Sequence, residues 1–393
     1  MNLQQSPRSD MPVIELVYFN AGGGHRASSL ALESAIARAG LDWQVKRTHL
    51  FEVLDPNARF RHWTGMEPED VYNKRLARGW TLGLSQELRV LQQMIRFGHR
   101  SLVQSLTRHW SETAPAMVVS LIPNFNRAMA DALAVAQPAS PFVTVMTDLA
   151  DCPPRFWTEP QTQQILVCGS PYALAQARAS GIAPHRAWGV SGMLLGEQFH
   201  QVQPLDRDRE RAALGLDPSK PVGLILFGSE GSKAMLPMAQ RLSGTQLIVA
   251  CGRNAALATA MRAMKRNAPT VVLDYTREMA RYMQLADFFI GKPGSGSLSE
   301  AVHMGLPPIV VRNAFTMPQE RYCTDWVRDN KLGLVLPSYK RIDLAVDKLL
   351  RQLDQHKRAT LRVQSKAAEQ VPQVLAQILE SSQRMGIGMK KAA

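Results

Sequence analysis

Several short segments hold residue types suited to chemistry, and most follow an apolar run. GKPGSGSLSE (291–300) comes after ADFFI and opens an amphipathic stretch. Gly294 and Gly296 let the backbone approach a ligand closely. The free N–H groups from Ser295 to Leu298 would then face an anion, with a helix dipole behind them. Ser297 and Glu300 also have the S-x-x-E spacing of a capping box, so a plain helix start is the alternative reading. The segment is neither GxGxxG nor GxxxxGK[ST], which argues against NAD and against a P-loop triphosphate. NAGGGHRAS (20–28) has the same strand–glycine–helix form. Gly22, Gly23 and Gly24 admit a substrate, and His25 is a candidate general base that a helix N-terminus would keep neutral. The plain alternative is a tight turn with an exposed histidine.

Four further segments lie at strand ends. In MTDLADCPPRFW (146–157), Asp148 can take a proton or orient His25; an Asx turn is its ordinary role. FGSEGSK (227–233) offers Gly228, Ser229 and Gly231 to a ligand, with Lys233 as a solvated charge. CGRN (251–254) offers Arg253 and Asn254. In PQERYCTDW (318–326), which follows the strand LPPIVVRN, Gln319 and Glu320 suit sugar hydroxyls, unless they simply begin a surface helix after Pro318. Asp206-Arg207-Asp208 spells a metal-binding DxD, but it lies in a charged, non-strand stretch and reads as a helix start. No His/Cys/Asp/Glu cluster has metal-ligand spacing. The chemistry is therefore expected to be metal-independent, with helix dipoles and basic groups such as Lys292 stabilising a leaving anion.

The elements that must carry these loops alternate. In the second half, PVGLILFG (221–228), TQLIVACG (245–252), APTVVLDY (268–275) and ADFFIGKP (286–293) read as buried strands separated by helices. In the first half, PVIELVYF, AMVVSLIP, PFVTVMTD and QQILVCGS do the same, and Leu32, Ala35, Ile36 and Ala39 line one helix face. This pattern predicts an α/β protein with two doubly wound parallel sheets. We divide it at 1–202 and 203–393, with a polar helix near 355–385 packing back on the first domain. Ligands of such sheets bind beyond the carboxyl ends of the strands, where the loops above lie.

At 393 residues with 45% hydrophobic and 20% charged content, the chain is globular and large enough for two domains. Its four cysteines form no CxxC pair and are expected to be reduced thiols in a cytoplasmic protein. The polar start MNLQQSPRSDMP predicts no signal peptide, and no run predicts a membrane span. A net charge of +13 favours anionic partners. The excess is conspicuous between Arg59 and Trp110, where Arg59, Arg61, Lys74, Arg75, Arg78, Arg89, Arg96, Arg100 and Arg108 alternate with Phe60, Trp63, Trp80, Leu84, Leu88, Leu91, Phe97 and Trp110. Such amphipathic helices suit an anionic lipid surface. Solvated charges around core aromatics are the plain alternative. Nucleic acid ranks lower, because no RNP, KH or helix-turn-helix pattern accompanies them.

Taken in order, NAGGGHRAS, MTDLADCPPRFW, LVCGSPYALAQARASGI, FGSEG, CGRNAAL, the DY…M…YM…D series and GKPGSGSLSEAVHMGLPPIVV resemble monogalactosyldiacylglycerol synthases. They are similar also to bacterial processive diacylglycerol glucosyltransferases, relatives of the GlcNAc transferase that forms lipid II. The resemblance implies a GT-B fold and an inverting, metal-independent transfer of a hexose from a UDP-sugar to a lipid acceptor such as diacylglycerol. No cofactor is implied beyond that donor. By position, it implies Glu300 on the ribose and Ser295, Gly296 and Ser297 at the diphosphate. Tyr275 and Met279 would lie by the uracil near Arg253 and Asn254, Gln319 and Glu320 would read the sugar, and His25 and Asp148 would stand at the reaction centre. It implies a peripheral position on the inner face of the cell membrane. Three features depart from the family: Pro318 stands where it commonly has Gly, Cys323 where it has Asn, and Pro153 and Pro154 follow Cys152 where a His is frequent. A UDP-GlcNAc epimerase and a non-catalytic UDP-sugar or RNA-binding protein are the rival readings.

Overall fold

A computed structural model describes residues 11–20, 24–57, 62 and 84–392, with backbone alone for 84–89 and 385–392. Gly22, Gly23 and most of the basic segment, including Arg59, Phe60, Arg61, Trp63, Lys74, Arg75, Arg78 and Trp80, lie outside the described residues.

Two six-stranded parallel sheets form the framework. The first comprises β1 Val13–Tyr18, β2 Gln44–His49, β3 Met117–Ser120, β4 Phe142–Val145, β5 Ile165–Cys168 and β6 Ala187–Gly189, in the order β2-β1-β3-β4-β5-β6. The second comprises β7 Val222–Leu226, β8 Gln246–Ala250, β9 Thr270–Leu273, β10 Phe288–Gly291, β11 Pro308–Val311 and β12 Leu334–Leu336, in the order β12-β11-β10-β7-β8-β9. The runs MVVS, FVTV, VGLIL, QLIVA and FFIG are buried throughout, as strands covered on both faces must be.

The strands that periodicity did not bring out are β2, β6 and β12. All three are edge strands: QVKRTH alternates exposed and half-buried positions, and the other two have three residues each. Ala39 lies beyond the helix Gly24–Arg38 and is exposed, so it is not part of that helix's apolar face. The helix that returns to the first domain is Ala367–Ala392, beginning later than the expected 355; Leu353–Thr360 is a separate helix. Val371, Leu375, Ile378 and Leu379 join Leu32, Ala35 and Ile36 in the first sheet's core.

Strand order reverses at β1/β3 in the first sheet and at β7/β10 in the second. Chain crossings diverge at these two points and leave a crevice at the carboxyl ends. The loops that follow β1, β3, β7 and β10 include NAGGGHRAS, FGSEGSK and GKPGSGS. The opposite end of β10 is anchored instead of open. Asp287 accepts the N–H of Val222 at 2.8 Å and pairs with Arg207 at 2.7 Å and Arg211 at 2.6 Å, and Lys357 lies at 3.4 Å. Arg207 and Arg211 belong to the helix Arg207–Ala213, whose N-cap is Asp206. The DxD stretch is thus a helix start, as its charged setting suggested.

Candidate active site between the two sheets

On the first-domain side, His25 is the second residue of its helix and packs against Phe19 with ring centroids 4.6 Å apart. Its Nδ1 lies 2.8 Å from the carbonyl of Leu121, just past β3, and 3.0 Å from Thr147 Oγ1. A carbonyl only accepts, so Nδ1 carries the proton and Nε2 keeps its lone pair. Burial pushes the imidazole down to about 4, against the Leu121 bond, so the ring is neutral near pH 7. Burial, more than the helix N-terminus expected from sequence, accounts for that neutrality.

Asp148 stands on the next wall. Its Oδ2 accepts the indole N–H of Trp157 at 3.0 Å, and the Trp157 ring lies 6.2 Å from that of His25. Its Oδ1 accepts the hydroxyl of Ser295 at 2.5 Å, across from the second domain. Burial raises the carboxyl to about 6, although both hydrogen bonds work against that.

On the second-domain side, the helix Ser295–His303 begins three residues earlier than the capping-box reading placed it, with Gly294 as N-cap instead of Ser297. Ser297 therefore lies in the first turn. Leu298 donates its N–H to Gly294 O, so the N–H groups left for an anion are those of Ser295, Gly296 and Ser297. The space beside Gly296 is open: a Cβ there would meet no atom within 4 Å. Tyr339 donates its hydroxyl to Gly291 O at 2.6 Å and pins the end of β10 under the loop. Glu300, one turn further on, is half-buried, and burial raises its carboxyl to about 7.

Around this helix the structure gathers the other candidates. Lys292 pairs with Glu320 at 3.3 Å. Beside them Gln319 Oε1 is buried without a hydrogen-bond partner, an acceptor in want of a donor. Gly228 and Gly231 have left-handed φ of 78° and 60°, and a Cβ at Gly231 would meet the Cys251 carbonyl at 2.7 Å. The loop after β7, with Ser229, thus lies against the loop after β8. Arg253 pairs with Glu230 at 3.1 Å and covers the face of Tyr275 at 4.4 Å. Tyr275 is half exposed, so this cation–π pair offers a flat platform for a base. Met279 begins the following helix and packs against the same core. Asn254 is spent locally: its side chain caps the helix Ala255–Arg262.

Sequence reasoning missed Thr147 and the role of Trp157. It also missed Tyr172 and Tyr322, which stack across the cleft at 4.2 Å and 10°. Nothing in local sequence marks a pair 150 positions apart, although both tyrosines sit in segments already singled out. Trp110 is corrected outright: it is fully buried in the core with Leu106 and Phe125, not interfacial. The spacing Leu102, Leu106, Trp110 was the signal for that inward face. Leu91, Met94 and Phe97 are exposed on the helix Leu84–Phe97, as is Arg96, and Arg100 and Arg108 are exposed on the next helix, His99–Thr113. Among the described residues, no helix is long and apolar enough to cross a membrane, and no three His, Cys, Asp or Glu gather as metal ligands.

Residues 224–381 match the glycosyltransferase family 28 C-terminal domain. A probable monogalactosyldiacylglycerol synthase 2 of rice is 28% identical over 337 residues, covering 80% of this chain and 68% of that protein. The monogalactosyldiacylglycerol synthase of spinach is 28% identical over 365 residues, covering 86% of this chain and 65% of that protein. This chain thus spans about two thirds of their length. Among solved structures, Acinetobacter baumannii MurG aligns with a TM-score of 0.59 at 15% identity, over 93% of this chain and 99% of that one. A UDP-GlcNAc 2-epimerase from Neisseria meningitidis aligns equally well, at 0.59 and 12% identity, over 94% and 100%. The two sheets facing one cleft are the GT-B fold.

Proposed function

We propose that this chain is a family 28 glycosyltransferase related to the galactosyldiacylglycerol synthases, to whose C-terminal domain model and sequences it is similar, and that it transfers a hexose from a UDP-sugar to a lipid hydroxyl, with diacylglycerol as the acceptor. It does so peripherally, at the inner face of a cell membrane. The observation that carries this reading is the 2.5 Å contact between Asp148 and Ser295, which joins the acceptor-side carboxylate to the first turn of the anion-binding helix.

The acceptor oxygen attacks the anomeric carbon as the bond from that carbon to the UDP oxygen breaks. One displacement inverts the anomeric centre. The acceptor's proton passes to Asp148, the stronger base of the pair at about 6 against about 4 for His25. His25 Nε2 accepts a hydrogen bond from the approaching substrate and holds it over the cleft. The N–H groups of Ser295 to Ser297 and the helix dipole take up charge on the departing diphosphate. Gln319, Glu320 and Lys292 hold the sugar, and Arg253 with Tyr275 stacks the uracil.

Glu300 accepts the ribose hydroxyls. Glu300→Ala should weaken UDP binding roughly 10- to 100-fold, the scale of a lost charged hydrogen bond. Equilibrium dialysis with labelled UDP reads this, and unchanged affinity would remove Glu300 from the site.

The exposed Leu91, Met94 and Phe97, with exposed Arg96 on the same helix and Arg100 on the next, support the membrane position. Sedimentation with phosphatidylglycerol-rich vesicles should show salt-sensitive binding, since each basic residue near the surface contributes about 1 kcal/mol. Met94→Glu combined with Phe97→Glu should abolish it while UDP binding persists. Equal binding by that double variant would move the docking surface elsewhere.

A further inference from the structure

We infer that Ser295 is a positioning residue that caps Asp148 until a nucleotide diphosphate enters the glycine loop, so that the acceptor finds its base only once the donor is bound. The inference rests on the donor site proposed above.

The stronger base is the one already occupied. Ser295 donates to Oδ1 at 2.5 Å and Trp157 to Oδ2 at 3.0 Å, so both oxygens of Asp148 are engaged. A hydroxyl has a single proton to donate. Ser295 cannot bond fully to Asp148 and to a phosphate together, and a diphosphate at the N–H groups of Ser295 to Ser297 is the more highly charged acceptor. Rotation about the Cα–Cβ bond of Ser295 moves only its hydroxyl, so it can pass from one partner to the other while the backbone of the helix stays in place. Among the described residues, its other side-chain neighbour by hydrogen bonding is the thiol of Cys323, a weak donor at 3.9 Å.

The exchange needs only a side-chain rotation: Ser295 stays the first residue of its helix. Ser295 keeps its proton throughout and changes only its acceptor. The proton that Asp148 later takes is the acceptor's.

Loss of the Ser295 bond makes Asp148 bind a proton more readily. The other ionisable groups facing it are Glu320 and Asp151 and the thiols of Cys152 and Cys323. Glu320 is paired with Lys292, and Asp151 accepts from the N–H groups of Arg155 and Trp157 and the hydroxyl of Thr158. Burial holds both thiols protonated. Among these groups, Asp148 is thus the one that responds to loss of the Ser295 bond; Glu300, at the ribose, is common to the wild type and the Ser295 and Asp148 variants.

The test is proton uptake by the full-length protein on addition of saturating UDP near pH 6.5, read with an indicator dye in weakly buffered solution. Equilibrium dialysis with labelled UDP confirms occupancy. The wild type should take up more protons than Asp148→Asn, whose remaining exchange is that of Glu300 and of UDP itself, and Ser295→Thr should match the wild type. Ser295→Ala should lose about half of the uptake or more, because its Asp148 is uncapped beforehand. Equal uptake by the wild type and Ser295→Ala at confirmed occupancy would overturn the cap, because phosphate repulsion alone would then account for it. Failure of the wild type to bind UDP at all would instead overturn the donor site on which the inference rests.

Discussion

Asp148→Asn is expected to lower kcat by about 10³-fold, within the 10²- to 10⁴-fold range of a positioned general base. The substitution keeps the shape of the side chain, and its amide oxygen still accepts from Ser295 or Trp157. What it removes is the capacity to take the acceptor's proton. Binding of the UDP-sugar should change by only a few-fold, because the loss falls on the transition state. The pH dependence follows from the same environment. Burial raises the Asp148 carboxyl to about 6 against the bonds from Ser295 and Trp157. The active form is the carboxylate, so wild-type kcat/KM, which reports the free protein, should fall as pH drops through about 6, kcat should fall at a somewhat higher pH once the Ser295 bond is lost, and the asparagine variant should lack that limb. If His25→Gln abolished transfer while Asp148→Asn left it intact, His25 Nε2 would be the base.

The second large effect is on stability. Asp287→Ala should destabilise the fold by about 3–5 kcal/mol, read as a lowered urea midpoint. Asp287 meets two guanidiniums, the Lys357 ammonium and the N–H of Val222 where β10 begins beside β7. Arg211 is 4% exposed, so truncating its partner leaves a buried charge with only the carbonyls of Leu285 and Pro218. Burial disfavours the ionised Asp287, but the Val222 N–H, Arg207 and Arg211 outweigh it and hold its folded pKa below the ordinary value. Its contribution is therefore present above the ordinary carboxylate pKa and is lost as pH falls through the folded one. The difference between wild type and variant should shrink in acid. A loss under about 1 kcal/mol at pH 7 would mean that the pair is solvated.

The loops were legible where local chemistry determined them. Strands β7, β8 and β10 are unbroken apolar runs ending in glycine turns, so both their burial and the sites beyond them could be read directly. The edge strand QVKRTH was not, because its first four positions are exposed or half-buried and its polar pattern resembles a loop. The helix start at Ser295 was misplaced because Ser297 and Glu300 mimic a cap, whereas Gly294 occupies that position with no side-chain bond. Asp148 and Ser295 were each marked by their positions after strands. Their contact depends on how two domains pack, and no spacing in the chain encodes it. Trp110 shows the converse: a basic, aromatic composition does not say which face of a helix turns inward.

The most direct measurement is product analysis by mass spectrometry and NMR after incubation with UDP-galactose, UDP-glucose and UDP-GlcNAc, each over a panel of lipid acceptors. The expected result is a hexosyl lipid with inverted anomeric configuration, formed from at least one donor and dependent on the acceptor. Conversion of UDP-GlcNAc to its epimer without any acceptor, or UDP binding with no transfer to any lipid, would contradict it.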